Sequence, residues 1–454
     1  MRTTAFLSWR AFLVAKQGVL RRPGIERTPY PNRVATLVRA SVTVLCLVVI
    51  SDGCAPGLDH RRAAPSATSA TTLVMTDRVD HLDLLAREPM VVEHPDGTLF
   101  VSGFGEPGPK LWQSRDRGAT WVRVNVGSEA DGAIGNSDVD LAVARDGTLY
   151  FVTMGFDRKV NEGTHVTIGV SKNAGATWSW TMLSKTRFDD RPWVEVAADG
   201  TAHVIWNDGR GVCHAVSLDG GVTWTERPRI HAQGGSSHLA VGPNREVAVR
   251  VTPESASGNM FTEGVDLVAV SVDGGTTWRK HAAPGQREWS SPDDTEGVPR
   301  WVEPLAWDAR GALYSLWTDR KGLWLARSID QGGTWTTWRV AQSEDVLYFP
   351  YLVARGPGEL AATWFSGRGE TLQAHVGLIE VSDGDAPPRM ITSPPFRPDS
   401  WRSGARPEDP PTRDTAGEYL AVTFLSAGGL GMVSPIQNRP AQHLGFTWWR
   451  IEAR

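Results

Sequence analysis

From about residue 87 to the end of the chain, apolar and polar positions alternate in short runs, and the runs recur. The stretches Pro89–Ser102, Val139–Val152 and Pro192–Ile205 each set two β-rich runs on either side of an Asp-Gly pair, which is a hairpin signature. Weaker versions run from Ser237 to Val249, with Asn244-Arg245 at the turn, and begin again at Glu303, Pro350 and Leu420. These recurring hairpin signatures predict an all-β chain.

A second unit follows most of these hairpins. The octet Ser-x-Asp-x-Gly-x-Thr-Trp stands at Ser114–Trp121, Ser171–Trp178 (with Asn173 for Asp), Ser217–Trp224, Ser271–Trp278 and Ser328–Trp335. A short side-chain acceptor followed by Gly closes a tight turn, and the β-branched Thr and the Trp enter the next strand. The acids Asp116, Asn173, Asp219, Asp273 and Asp330 are therefore read as structural, with Asn173 as the amide member of the set. One repeat becomes strand, Asp-Gly turn, strand, loop, strand, octet turn, strand. That is a four-stranded meander of propeller-blade size.

Seven such units start near 87, 137, 190, 236, 300, 347 and 417. The last two lack the octet, and the seventh offers three strands. A β-rich run at 71–77 supplies the fourth and closes the ring; six blades plus a divergent C-terminal segment is the alternative. Closure protects sheet edges and explains how one domain reaches this length. The segment 384–417 interrupts the repeat with eight prolines and five arginines, so it excludes a central strand and is read as a lid or loop on the ligand face.

The first residues follow other rules. Residues 1–54 hold eight bases and two acids, and an eleven-residue apolar run, Ala40–Ile50, lies before Cys54. Basic residues followed by a short apolar core predict an export signal. Cys54 behind small residues resembles a bacterial lipoprotein cleavage site, which implies lipidation there; plain secretion is the alternative, since Ser51 stands where such sites carry Leu. Residues 55–71 are rich in Ala, Ser, Thr and Pro and read as a tether. Removing 1–54 turns the formal charge of −4 into −10, which excludes a nucleic-acid surface and leaves a lipid anchor as the one membrane attachment. Cys213 is then the sole cysteine, in an apolar run that reads as a buried strand.

The five octets resemble the Asp box, or BNR repeat, of the sialidase-like β-propeller superfamily. The resemblance implies a seven-bladed propeller over 72–454 whose ligand face lies opposite the octets, acting on or binding a glycan or another cell-surface ligand, as a sialidase-type glycoside hydrolase or as a non-catalytic binding or assembly propeller. A sialidase needs an arginine cluster for the substrate carboxylate, a Tyr nucleophile with a Glu base, and an acid/base Asp. Arg87, in Arg87-Glu88-Pro89, stands at the family's first arginine, although the family has Ile where this chain has Glu88. Arg191, Arg300, Arg320 and Arg368 are the candidates to complete the cluster, none of them fixed by a motif, with Trp193 as a loop-face aromatic beside the substrate. Tyr348, Tyr351 or Tyr419 serves as nucleophile and Glu303 or Glu263 as its base, while Asp190, in the Asp189-Asp190 pair, is read as an acid/base or a loop cap. Glu418 and Tyr419 lie in the loop leading into the seventh unit. No metal-ligand spacing, P-loop or Ser-His-Asp signature occurs, so no metal or other cofactor is expected.

Overall fold

The computed structural model describes residues 72–232, 234–253, 264–286, 288–289, 302–399, 415, 417–437 and 444–454. Cys54, Glu263, Arg300 and the expected export signal and tether lie outside them, as does most of 400–416.

Seven antiparallel four-stranded sheets form a propeller. Blade one runs from Arg87 to Arg123, two from Ser137 to Ser184, three from Asp189 to His231, four from Gly234 to Ala282, five from Leu305 to Gln342 and six from Leu347 to Thr392. In blade seven, Val422–Phe424, Leu430–Ile436 and Gly445–Ala453 are joined by Leu73–Leu82, which pairs along Gly445–Ala453 as the outermost strand. The N-terminal run thus closes the ring. The first strands of successive blades touch around the axis, and the first strand of blade seven touches that of blade one.

The octets act as docking turns. In blade one, Ser114 Oγ accepts the Gly118 N–H at 2.8 Å and donates to Asp116 Oδ1, while Asp116 accepts from the Thr120 N–H and hydroxyl. The same net recurs at Asn173, Asp219, Asp273 and Asp330. Each octet glycine abuts the preceding blade: Gly118 the Trp448 indole, Gly175 Phe100, Gly221 Tyr150 and Val170, Gly275 His214, and Gly332 Val270. Blade six has no octet. Its last turn docks instead through Arg327 of blade five, which donates to the carbonyls of Ser382 and Gly384.

The boundary of the interrupting segment needs one correction. Its first part is not outside the repeat, because Arg389–Thr392 is the outer strand of blade six. An outermost strand tolerates nearby prolines that an inner one would not. Beyond it, Phe396 bridges to the backbone of Ala374 and packs on Trp449 at 5.1 Å, and Asp399 pairs with Arg78 on the closing strand. Cys213 is buried in Val212–Ser217, and burial pushes its thiol up to about 12.

Candidate functional site at the channel mouth

Three first strands carry one local device. Arg87-Glu88-Pro89-Met90, Asp190-Arg191-Pro192-Trp193 and Tyr348-Phe349-Pro350-Tyr351 each break the ladder register. The second residue of each takes a left-handed backbone, with φ of 43° at Glu88, 49° at Arg191 and 49° at Phe349. Proline has no N–H to give the ladder, so the extra residues bulge, and such conformations hold where the surroundings enforce them. The residue after each proline lines the channel: Met90, Trp193 and Tyr351.

The bulges also gather charge at the end of the channel opposite the octets. Arg191 is only 7% exposed. It sits 3.0 Å from Glu418 Oε2 and 3.7 Å from Asp190 Oδ2. Burial disfavours its charge, but Glu418, Asp190, Asp138 and Glu88 outweigh that and hold it protonated. Burial pushes Glu418 up to about 7 against the pull of Arg191, with Asp138 adding to the rise. Glu88 is held well above the usual carboxylate range by burial and by Asp138 and Glu418, against Arg87 and Arg191. Four carboxyls therefore surround Arg191, and Arg87 adds a second positive charge beside Glu88. Gly417 permits the approach, because a side chain there would overlap Glu88 Cγ.

Behind the mouth the channel is closed by a cycle of rings. Trp193 meets His238 at 5.0 Å and Tyr419 at 5.8 Å, and Tyr351 meets His238 at 5.8 Å and Tyr419 at 5.6 Å. All four are buried. The Tyr419 hydroxyl donates to the Glu88 carbonyl at 3.3 Å, tying the layer to the mouth. Burial holds the Tyr351 and Tyr419 phenols protonated and keeps His238 neutral, its value lowered to about 3.

Of the residues expected from sequence, the mouth brings together Arg87, Asp190 and Arg191, with Trp193 and Tyr351 in the ring layer beneath. Two assignments are corrected. Tyr348 is buried to 1%, stacked on Phe365 and edge-on to Phe349, so it presents no face to a ligand. Glu303 is no base for a tyrosine. It is 1% exposed and paired with Arg250, which also holds Asp266 at 3.1 Å, in a buried triad between blades four and five. Arg320 lies exposed on the loop between the second and third strands of blade five. Glu88, Asp138 and Glu418, which the sequence places in entry loops on the ligand face, were given no chemical role there, and Asp140 was not singled out. The repeated X-Pro step at one offset in blades one, three and six was the signal for the bulges that present the first.

A second recess, of about 1000 Å³, lies between blades one and two on the same face and is lined by Glu106, Asp157, Arg158 and Lys159 among others.

No protein-family model matches the chain, and no curated protein matches it. Solved structures similar to it include a GH74 xyloglucanase from Xanthomonas campestris (16% identity, 82% of this chain and 55% of that one, TM-score 0.47). A Trypanosoma rangeli sialidase is similar at 13% identity, over 83% of this chain and 76% of that one, with a TM-score of 0.43. YCF48 from Cyanidioschyzon merolae is similar at 12% identity, over 84% and 98%, with a TM-score of 0.47.

Proposed function

We propose that the protein is a glycan-directed propeller that works at the channel mouth on neutral sugars, as a glycoside hydrolase. The observation that carries this reading is the convergence of Glu88, Glu418, Asp138 and Asp190 on Arg191, with the two glutamates biased toward their protonated forms. Glycoside cleavage needs one carboxyl that gives a proton to the leaving oxygen and another that stays ionised as base or nucleophile. Glu88 fills the first role and Asp190, beside Arg191, the second. A sialoside suits the mouth poorly. Arg191 is already engaged by Glu418 and Asp190, so an anionic sugar would have to displace one of them to reach its guanidinium. The engaged state of Arg191 also favours a second reading, a non-catalytic site that binds a neutral glycan without cleaving it.

The test is release of sugar from a panel of neutral aryl glycosides and plant and bacterial polysaccharides. Glu88→Gln and Asp190→Asn should each lower kcat/KM by about 100-fold or more, the usual size of a lost general acid or base. Binding without release by the wild type selects the second reading. Neither binding nor release across the panel overturns both. Export with a lipid on Cys54 belongs to the same proposal. Its check is fatty-acid labelling of the protein in a bacterial host, which Cys54→Ala should abolish.

A further inference from the structure

The channel continues past the ring layer toward the octet face as a separate cavity of about 510 Å³. Its walls carry Asp140, Glu195, Trp193 and Tyr351, with Val353 and Phe424 below. The charges at its outer rim are already engaged. Glu93 accepts from the Ser426 N–H and hydroxyl, and Arg355 pairs with Glu359 and lies 4.5 Å over the Phe424 ring.

Asp140 and Glu195 are different. Asp140 is 4% exposed and accepts only backbone N–H groups, from Leu141 and Val194, each at 2.8 Å. Among the described residues no basic side chain pairs with it or with Glu195. Two carboxyls on adjacent blades thus line one cavity without a basic partner; burial biases both toward their protonated forms, and a cation entering the cavity would restore their charge. Two donors are also left over. The Trp193 indole N–H, on a side chain 6% exposed, has no acceptor, and the Tyr351 hydroxyl has only the Met90 sulfur, 4.0 Å away. A buried polar group without a partner calls for an explanation, and a ligand supplies one.

We propose that this inner cavity binds a small hydroxylated amine of the amino-sugar class. Its ammonium group donates to Glu195 and Asp140, a hydroxyl oxygen accepts from the Trp193 N–H, and one face of its ring rests on the Tyr351 or Trp193 aromatic surface. The volume holds one such ring with a few waters. The proposal is independent of the reading of the mouth, since the ring layer separates the two sites.

Titration calorimetry with glucosamine, glucose and N-acetylglucosamine tests it, because glucose lacks the amine and the acetyl group removes its charge. Glucosamine should bind at least about 10-fold more tightly than either, as expected for a charge-assisted bond of about 1.4 kcal/mol or more. Glu195→Gln should erase that preference. Val353→Trp, which fills the cavity without touching a charge, should abolish binding, whereas Asp190→Asn at the mouth should leave it unchanged. Equal heats for the three sugars, no heat from glucosamine, or full binding by Val353→Trp overturns the proposal. A loss of glucosamine binding in Asp190→Asn with Val353→Trp unaffected would place the amine at the mouth and overturn it as well.

Discussion

At the residue scale, Glu418 makes its protonation a measurable property of the fold. Its folded value is pushed up to about 7, above the ordinary carboxylate value of about 4.5. Between those two values the native chain keeps a proton that the unfolded chain releases. Unfolding is therefore favoured as pH rises through that window, and the effect levels off above it. The unfolding temperature should fall between about pH 5 and pH 7.5, and Glu418→Gln should shrink the fall. It should not remove it, because Glu88, Asp140 and Glu195 are displaced in the same direction. A pH series of thermal melts on the two proteins checks this, and identical slopes would refute the burial of Glu418. Little of this was legible in the chain. Glu418 reads as one charged loop residue among many, and only the convergence of blades one, two, three and seven gives it company.

At the element scale, the octet is both a turn and a contact. Gly118 has φ of 94° and lies against the Trp448 indole, so an added methyl would overlap the ring and strain the backbone together. Gly97, in the Asp-Gly turn of the same blade, has φ of 86° with nothing within 4 Å of an added Cβ. Gly97→Ala should cost about 1 kcal/mol, the left-handed penalty alone. Gly118→Ala should cost at least twice that in urea unfolding, with Trp448 fluorescence shifted. Equal costs would deny the docking role. The octets were readable because a turn of this kind demands a fixed set of residues at fixed offsets. The first-strand bulges were not, because X-Pro steps are common in loops and their shared consequence appears only once the strands stand side by side. Glu303 shows the converse failure. Its place near a first strand matched a catalytic position, yet its partner Arg250 lies 53 residues away in the preceding blade.

At the scale of the whole molecule, the seven blades and the closing strand were all legible. The hairpin signatures and octets set the count, and the seventh unit visibly lacked one strand that the run near residue 71 could provide. Its length was underestimated: the closing strand reaches Leu82 rather than 77, because Asp77, Arg78 and Asp80 make its second half look like a polar linker. A chain begun at Thr72 should keep the cooperative melt, whereas one begun at Asp83 should lose it and associate through the bared Gly445–Ala453 edge. Light scattering and circular dichroism distinguish the two, and a monomeric, fully folded chain from Asp83 would show that closure is dispensable.

The same strand has a history as well as a position. Leu73 is made long before Ala453, yet the two are partners in the finished sheet. Over that interval the first strand of the propeller waits without its mate, while six blades assemble between them. Contacts so distant along the chain form late. Asp77, Arg78 and Asp80 in its second half suit such a wait, because charges on an unpaired strand disfavour pairing with other chains.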